Sequence, residues 1–358
     1  MIALLGRRDQ PTDGVEDYCR WLGQALATQG YDLTLVRMPW LERGWPRALN
    51  WLSHESKKWK RQWVLVQYTA LSWSRRGFPP LLLVVLGLLR IRGARIAVIF
   101  HDDGPYPGTR FVDKVRRLCQ RSVMRWTYRL SEKSILTIPI EQASWLQADS
   151  SKAAFIPVGA NIPPVVGQCR SVHNGREVKT ITVFGVTGGP TMAAEVSDIA
   201  FVARSVAEHV PGVRLLTLGR GSAESESKFR EALEGSTVEY TAIGILPAED
   251  VGRILSSSDV SLFVRGGIST QRGSAIASIA CATPLVAYAG QNLAAAFSEA
   301  GVVPVPLGDR ERLAEATVKV LTDRGLWSDL HQRNQRSYEK HFAWDAVASQ
   351  FVQLFNHV

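Results

Sequence analysis

Val260-Ser261-Leu262-Phe263-Val264-Arg265-Gly266-Gly267-Ile268-Ser269-Thr270-Gln271-Arg272-Gly273-Ser274-Ala275 decides the fold. Val260–Val264 reads as a buried strand, and Ser274–Cys281 reads as an apolar helix. Between them lie Gly, Ser, Thr and Arg. Strand, glycine-rich loop and helix make the repeating unit of a parallel α/β sheet, whose ligands sit at the carboxyl ends of the strands. Gly and Ser leave backbone amides open at the helix N-terminus, where the dipole favours an anion. Arg265 and Arg272 add charge that pairs with phosphate, and Ser269, Thr270, Gly273 and Ser274 complete the cradle. A pyrophosphate would be held here without a metal. The competing reading is a glycine-rich connection with solvated arginines.

The same rhythm extends on both sides. Downstream, Pro284–Ala287 is a strand and Gln291–Ala300 a helix. Upstream, strands are expected at Thr180–Phe184, Arg214–Leu218 and Val238–Thr241. Helices are expected near Thr191–His209, Ser222–Glu234 and Ala248–Ser257. Three loops frame the same site: Gly185–Pro190 with Thr187 and Gly188, then Gly219-Arg220-Gly221, then Gly244-Ile245-Leu246, which would border a base. Pro157–Lys179 is rich in Pro and Gly and reads as the interdomain linker region.

The N-terminal half repeats the pattern. Strands are expected at Met1–Leu5, Leu33–Val36, Trp63–Gln67, Arg95–Phe100, Ser134–Ile138 and Ala153–Ile156. A helix is expected over about Pro80–Arg92, and another from Ile138 to about Asp149. Asp13 caps a helix that ends at Gly30. Gly14, in the loop after the first strand, would let amides approach a phosphate or a sugar. That loop is no GxGxxG fingerprint, so a nicotinamide cofactor is not indicated. His101-Asp102-Asp103 follows a strand directly, and His101 and Asp102 are the candidates for sugar hydroxyl binding or proton handling. A plain turn with an Asp cap competes with that reading.

At 358 residues, with 46% hydrophobic and 21% charged residues, the chain suits a two-domain globular enzyme. Its four cysteines form no CxxC pair, which argues against zinc and disulfides and fits a reducing cytosol. Met1–Leu5 is too short for the apolar region of a signal peptide. Leu81–Leu89 is the longest apolar run, far short of the roughly 20 residues of a membrane span. It reads as a buried helix with proline in its first turn. The net charge of +9 is uneven. Residues 1–165 carry 24 Lys/Arg and 13 Asp/Glu, hence +11, and residues 166–358 carry 18 and 20, hence −2. The basic charge concentrates in Lys57-Lys58-Trp59-Lys60-Arg61 and in Arg116, Arg117, Arg121, Arg125 and Arg129. Such a surface suits an anionic lipid surface, a phosphorylated acceptor or nucleic acid. No nucleic-acid-binding motif accompanies it, so nucleic acid is not an expected partner. Trp51–Trp63, with Trp59 and Trp63 four apart among lysines, fits either an interfacial membrane helix or a surface helix with half-buried tryptophans.

Taken in order, these residues resemble the retaining glycosyltransferases of the GT-B fold, the group that includes sucrose-synthase-like and mannosyltransferase enzymes. The resemblance runs over nearly the whole chain. It is carried by Gly14-Val15-Glu16-Asp17-Tyr18, His101-Asp102, Ile156-Pro157-Val158-Gly159-Ala160-Asn161, Leu218-Gly219-Arg220-Gly221, Ser258-Asp259-Val260, Cys281-Ala282-Thr283-Pro284 and His341-Phe342-Ala343-Trp344. It implies two Rossmann-like domains with a C-terminal helix that crosses back to the N-domain. The implied division is an acceptor domain over 1–163, a linker over 164–179, a donor domain over 180–325 and crossover helices over 326–358. It implies transfer of a sugar from a nucleoside-diphosphate sugar to a glycan, a lipid-linked or a small acceptor, with retention of configuration, while the helix N-terminus and arginine would stabilise the leaving diphosphate without a bound metal. The cysteine usage points to a cytoplasmic location, and the basic charge of the N-terminal half to peripheral membrane contact. The family carries two glutamates eight residues apart in its donor loop, where this chain has Ser269 and Ala277. A variant branch with a Ser-Thr-Arg-Arg-Gly-Ser-like loop is the better match to Ser269–Ser274. Two other readings stand beside the enzyme: a non-catalytic GT-B partner subunit, and a sugar-nucleotide epimerase.

Overall fold

The computed structural model describes residues 1–9, 13–102, 104–146, 150–162, 164, 178–290 and 293–356. Two parallel six-stranded sheets, each flanked by helices, form two compact units. The first unit comprises Met1–Gly159 and Trp344–Val358, and the second Ala160–Ala343.

In the first unit the elements run β1 (Ile2–Leu5), α1 (Gly14–Thr28), β2 (Thr34–Arg37), α2 (Trp40–Arg43), α3 (Trp45–Glu55), β3 (Trp63–Tyr68), α4 (Leu81–Ile91), β4 (Arg95–Phe100), α5 (Phe111–Leu130), β5 (Lys133–Leu136) and β6 (Ala153–Phe155). The sheet order is β2-β1-β3-β4-β5-β6. β3 and β4 are apolar along nearly their whole length because helices cover both sheet faces. Asp13 caps α1 by accepting from the Val15 and Glu16 amides. Tyr18, Leu22 and Leu26 fill its core face, and Gly30 follows its end at φ +83°.

The connections through α3, α4 and α5 all step the same way across the sheet. Right-handed crossovers therefore lay these three on one face. α1 lies on the other face.

The second unit runs β7 (Val178–Phe184), α6 (Met192–Ala207), β8 (Gly212–Leu218), α7 (Ser222–Ala232), β9 (Val238–Gly244), α8 (Ala248–Ser257), β10 (Val260–Phe263), α9 (Gly273–Ala280), β11 (Leu285–Tyr288), α10 (Ala295–Glu299), β12 (Val302–Val305), α11 (Arg310–Thr322) and α12 (Arg324–Ser337). The sheet order is β12-β11-β10-β7-β8-β9. A π-type turn over Tyr338–Phe342 ends this unit, and α13 (Trp344–Asn356) returns to the first unit and packs on α1.

Every strand expected from the sequence is present within two residues at its start and three at its end. The apolar run Leu81–Leu89 forms α4, with Leu82, Val85, Leu86 and Leu89 fully buried. No helix of the described residues is long and apolar enough to cross a membrane.

Three features differ from the sequence reading. No α-helix forms over the described residues between β5 and β6. A single 3-10 turn, Ile140–Gln142, stands there, because extended Pro139 opens the segment and Trp145 is drawn into the core against Phe100. The expected helix end at Asp149 lies outside the described residues. α10 is shorter than Gln291–Ala300, whose first two residues also lie outside them. The greater part of the expected linker region lies outside them, since Pro163 and 165–177 are not described. β12, α11 and the long helix α5 were not anticipated.

Candidate functional site

In the second sheet, β8 and β9 lie to one side of β7, and β10, β11 and β12 to the other. The chain reverses its winding between β7 and β10, so the loops leaving those two strands diverge and open a crevice at their carboxyl ends. Arg265 follows β10 and lies against the β7 loop. A Cβ built on Gly185 would stand 3.1 Å from its Nη1, so the guanidinium rests on bare backbone. Gly185 itself is at φ +85°. Arg265 Nη2 donates to Ser274 Oγ at 2.7 Å, in the first turn of α9. Its carbon lies 5.6 Å from the centre of the Phe263 ring.

Burial lowers the Arg265 pKa, and the neighbouring positive charge of Arg272 lowers it further. Glu195 acts the other way, but its Oε2 accepts from the Thr187 amide at 2.8 Å. Among the described residues no carboxylate forms an ion pair with Arg265. A largely buried cation whose one hydrogen-bond partner is a neutral hydroxyl is costly unless an anion arrives to pair with it.

The loop between Arg265 and α9 adds further groups. Arg272 is exposed at the N-cap of α9. The first amides of the helix, at Gly273 and Ser274, have no carbonyl of their own helix to bond. Ser269 Oγ and Gln271 Oε1 are buried and have no hydrogen-bond partner among the described residues, while Thr270 is fully buried. Gly267 has no room for a side chain, because a Cβ there would overlap the Gly290 backbone. Arg265, Arg272, Gly273 and Ser274 thus gather at one strand edge as the sequence suggested.

The flanking loops share that edge through their backbones. Val186 N–H donates to Arg220 O at 2.9 Å, and Gly219 N–H donates to Gly244 O at 2.7 Å. Gly219 and Gly221 both have positive φ, and a Cβ on either would strike Phe184 or Val186. Thr187 is half-buried, Gly188 and the Arg220 side chain are exposed, and Ile245 is exposed at the end of β9. Leu246 turns inward and packs on the small core of Leu218, Val251 and Leu255.

The first unit builds a different environment around His101. Gln67, the one polar residue inside fully buried β3, donates from Nε2 to Leu65 O at 3.1 Å. A carbonyl only accepts, so that bond fixes which end of the amide is nitrogen. Gln67 Oε1 therefore faces His101 and accepts from its Nε2–H at 2.8 Å. Trp73 Nε1 donates to the Gln67 carbonyl at 2.8 Å and holds the same residue from its backbone side. The Tyr18 ring meets His101 edge-on at 5.0 Å. Burial pushes the His101 pKa down to about 4, against an opposing pull from Asp13. The ring is neutral at neutral pH, protonated on Nε2, with a lone pair on Nδ1. Such a ring accepts a hydroxyl hydrogen well and serves poorly as a general acid. Gln67 escaped the sequence reading because its role depends on partners scattered from Leu65 to His101. Its only signal was a polar residue in an otherwise apolar strand.

Asp102 and Gly14 take on particular roles. Asp102 Oδ2 accepts from the Ala70 amide at 2.7 Å and ties down the chain leaving β3. Gly14 opens α1, and a Cβ there would meet nothing within 4 Å. The helix N-terminus at Gly14 is already occupied by the Asp13 carboxylate, and Asp13 and Glu16 both pair with Arg37, at 3.1 and 2.7 Å. A phosphate would meet these carboxylates, so of the phosphate or sugar expected at Gly14 the neutral sugar suits the space better. Among the described residues no three His, Cys, Asp or Glu side chains gather as a metal site.

No family model and no curated protein matches the sequence. Solved structures do match. Sucrose-phosphate synthase from Thermosynechococcus elongatus is similar at a TM-score of 0.69 and 19% identity, over 99% of this chain and 98% of that one. HepE of Anabaena, solved in complex with UDP and glucose, is similar at 0.68 and 12% identity, over 100% of both chains. A glycosyltransferase from Rickettsia africae is similar at 0.66 and 13%, over 99% of this chain and 98% of that one. The two parallel sheets with their flanking helices are the two Rossmann-like domains of the GT-B fold.

Proposed function

We propose that the chain is a glycosyltransferase that takes a sugar from a nucleoside-diphosphate sugar. The observation that carries this reading is Arg265: a mostly buried guanidinium without a carboxylate partner among the described residues, at the strand edge where a doubly wound sheet binds ligands. A diphosphate supplies the missing charge. Arg265, Arg272 and the amides of Gly273 and Ser274 would hold it, with Ser269 and Thr270 behind them. Thr187, Gly188 and Arg220 would line the rim, and Gly244 and Ile245 would meet the base, with Leu246 supporting them from below. Positive charge and helix amides aimed at a leaving diphosphate stabilise it without a metal. Transfer with retention of configuration belongs to the same reading. The complex of HepE with UDP and glucose supports it.

The acceptor is assigned to the first unit. The neutral Nδ1 of His101 and the open space at Gly14 suit a hydroxyl-bearing group, with Asp102 fixing the adjoining loop. A cytoplasmic location accompanies this proposal.

A second reading, a non-catalytic partner subunit, is favoured by Ser269 and Ala277 standing where the resembling family has glutamates. Thermal shift and turnover with UDP-, GDP-, ADP- and TDP-sugars separate the two. Stabilisation with release of free sugar or product supports the enzyme. Stabilisation without turnover supports the partner, and no shift with any nucleotide overturns the donor site.

A further inference from the structure

α5 exposes the apolar residues a soluble helix normally buries. Phe111 is 82% exposed, Leu118 68% and Trp126 50%, and Val115 is exposed between them. At 100° per residue, positions 111, 115, 118, 122 and 126 fall within an arc of roughly 80°. Phe111, Val115, Leu118 and Trp126, with Ser122 among them, form one stripe from Phe111 to Trp126. The opposite side holds Asp113, Gln120, Val123, Met124 and Thr127, which face the core. The outward stripe is therefore left largely uncovered by the described residues.

One flank of the stripe is basic. Lys114, Arg117, Arg121 and Arg125 follow one another at spacings of three and four, the neighbour spacing of a helix surface. Among the described residues no carboxylate forms an ion pair with any of them. The one acid of α5, Asp113, is buried and pairs with Arg116 at 2.8 Å. Arg117 donates to the carbonyls of Tyr106 and Gly108, and Arg125 to that of Trp145. These bonds spread the guanidinium groups beside the stripe and leave their charge uncompensated. The adjoining helix α4 adds Val84 and Ile91, 44% and 79% exposed.

We infer that α5 is a docking surface for an anionic lipid bilayer, lying in the interface with Phe111, Leu118 and Trp126 inserted among the acyl chains. Charge complementarity selects this occupant. A phosphodiester backbone would pair with the arginines but would leave Phe111 and Leu118 in water. An anionic bilayer takes both the charge and the apolar stripe. The Trp51–Trp63 stretch, a rival candidate from sequence, does not serve. Trp59 and Trp63 are both buried, and Trp63 begins β3. This inference is independent of the donor site.

The test is co-sedimentation of the full chain with vesicles of phosphatidylcholine alone and of phosphatidylcholine with phosphatidylglycerol at 3:1. The wild type is expected to bind the anionic vesicles only, and less as salt rises. F111D/L118D is expected to lower the partition coefficient at least about tenfold. Both residues are exposed, so its melting temperature and its nucleotide-induced shift should match those of the wild type. Failure of the wild type to bind anionic vesicles would overturn the inference, as would undiminished binding by the variant. Binding to a nucleic-acid oligomer without vesicle binding would also overturn it. So would a wild-type dimer that F111D/L118D dissociates, because the stripe would then be an interface between copies. Loss of lipid binding with the nucleotide shift intact leaves the transferase reading standing, and the reverse leaves this one.

Discussion

The strand edges of the two sheets contrast. At the first, the chain leaving β1 is closed by packing at Gly6 and Arg7: a Cβ on Gly6 would overlap the Ser72 carbonyl, Arg7 N–H donates to that same oxygen at 2.8 Å, and Trp40 Nε1 reaches it at 3.1 Å. At the second, the loop after β7 is covered by a guanidinium that has no carboxylate partner among the described residues. One edge is complete as it stands, and the other gains by acquiring an anion. Identical strand–helix rhythm does not predict which edge binds a charged ligand. Uncompensated charge is the better guide.

That contrast can be broken by substitution. The largest effect is expected at the closed edge. Gly6→Ala should cost about 3 kcal/mol through overpacking against backbone that cannot yield, seen as a lower calorimetric melting temperature. An unchanged melting temperature would mean that the edge is not closed. Arg265→Ala should leave the ligand-free protein as stable as before or more so, because it removes an unpaired buried cation. It should also abolish stabilisation by nucleoside diphosphate, weakening binding about 100-fold or more. Loss of stability without ligand would show that Arg265 is structural.

The third test uses pH. Neutral His101 favours the folded state fully above pH 6.5, its ordinary value. That contribution is lost as pH falls towards about 4, at about 1.4 kcal/mol per pH unit. Wild type should therefore lose stability relative to His101→Gln across pH 6.5 to 4.5, and parallel melting profiles would refute the buried neutral ring. Arg272 is exposed, so Arg272→Ala should weaken diphosphate binding only about tenfold. A loss equal to that of Arg265→Ala would shift the phosphate outward. The smallest effect belongs to Gly14→Ala, worth a few tenths to about 1 kcal/mol of added stability, since the new methyl meets open space at a helix start.

What was legible in the sequence follows from range. Arg265 and Ser274 bracket a single loop, so their meeting could be read from spacing, and the strands announced themselves as short apolar runs. The contact of Arg265 with Gly185 spans 80 residues and left no trace. α5 escaped because its polarity is mixed on both sides: Asp113, Gln120 and Thr127 face the core while Phe111 and Leu118 face out, which blurs the helical period. Conversely, Ile138–Asp149 looked helical, but Pro139 and the burial of Trp145 set its path. The tautomer of His101 could not be read at all, since it rests on the amide orientation of Gln67.

The return of α13 to the first unit has a consequence for the order of synthesis. Gly159 lies so close to the Trp344 ring that a Cβ there would stand 2.7 Å from it, and Tyr18 packs edge-on against that ring at 5.3 Å. The residues that complete the first unit emerge from the ribosome after the whole of the second. The half begun first is thus the half finished last, and α1 waits without its partner helix until the whole second unit, Ala160–Ala343, has been added. Stalled chains ending at Ala343 should carry a protease-resistant second unit beside a susceptible first one. Equal resistance in both would show that α13 is dispensable to the nascent fold.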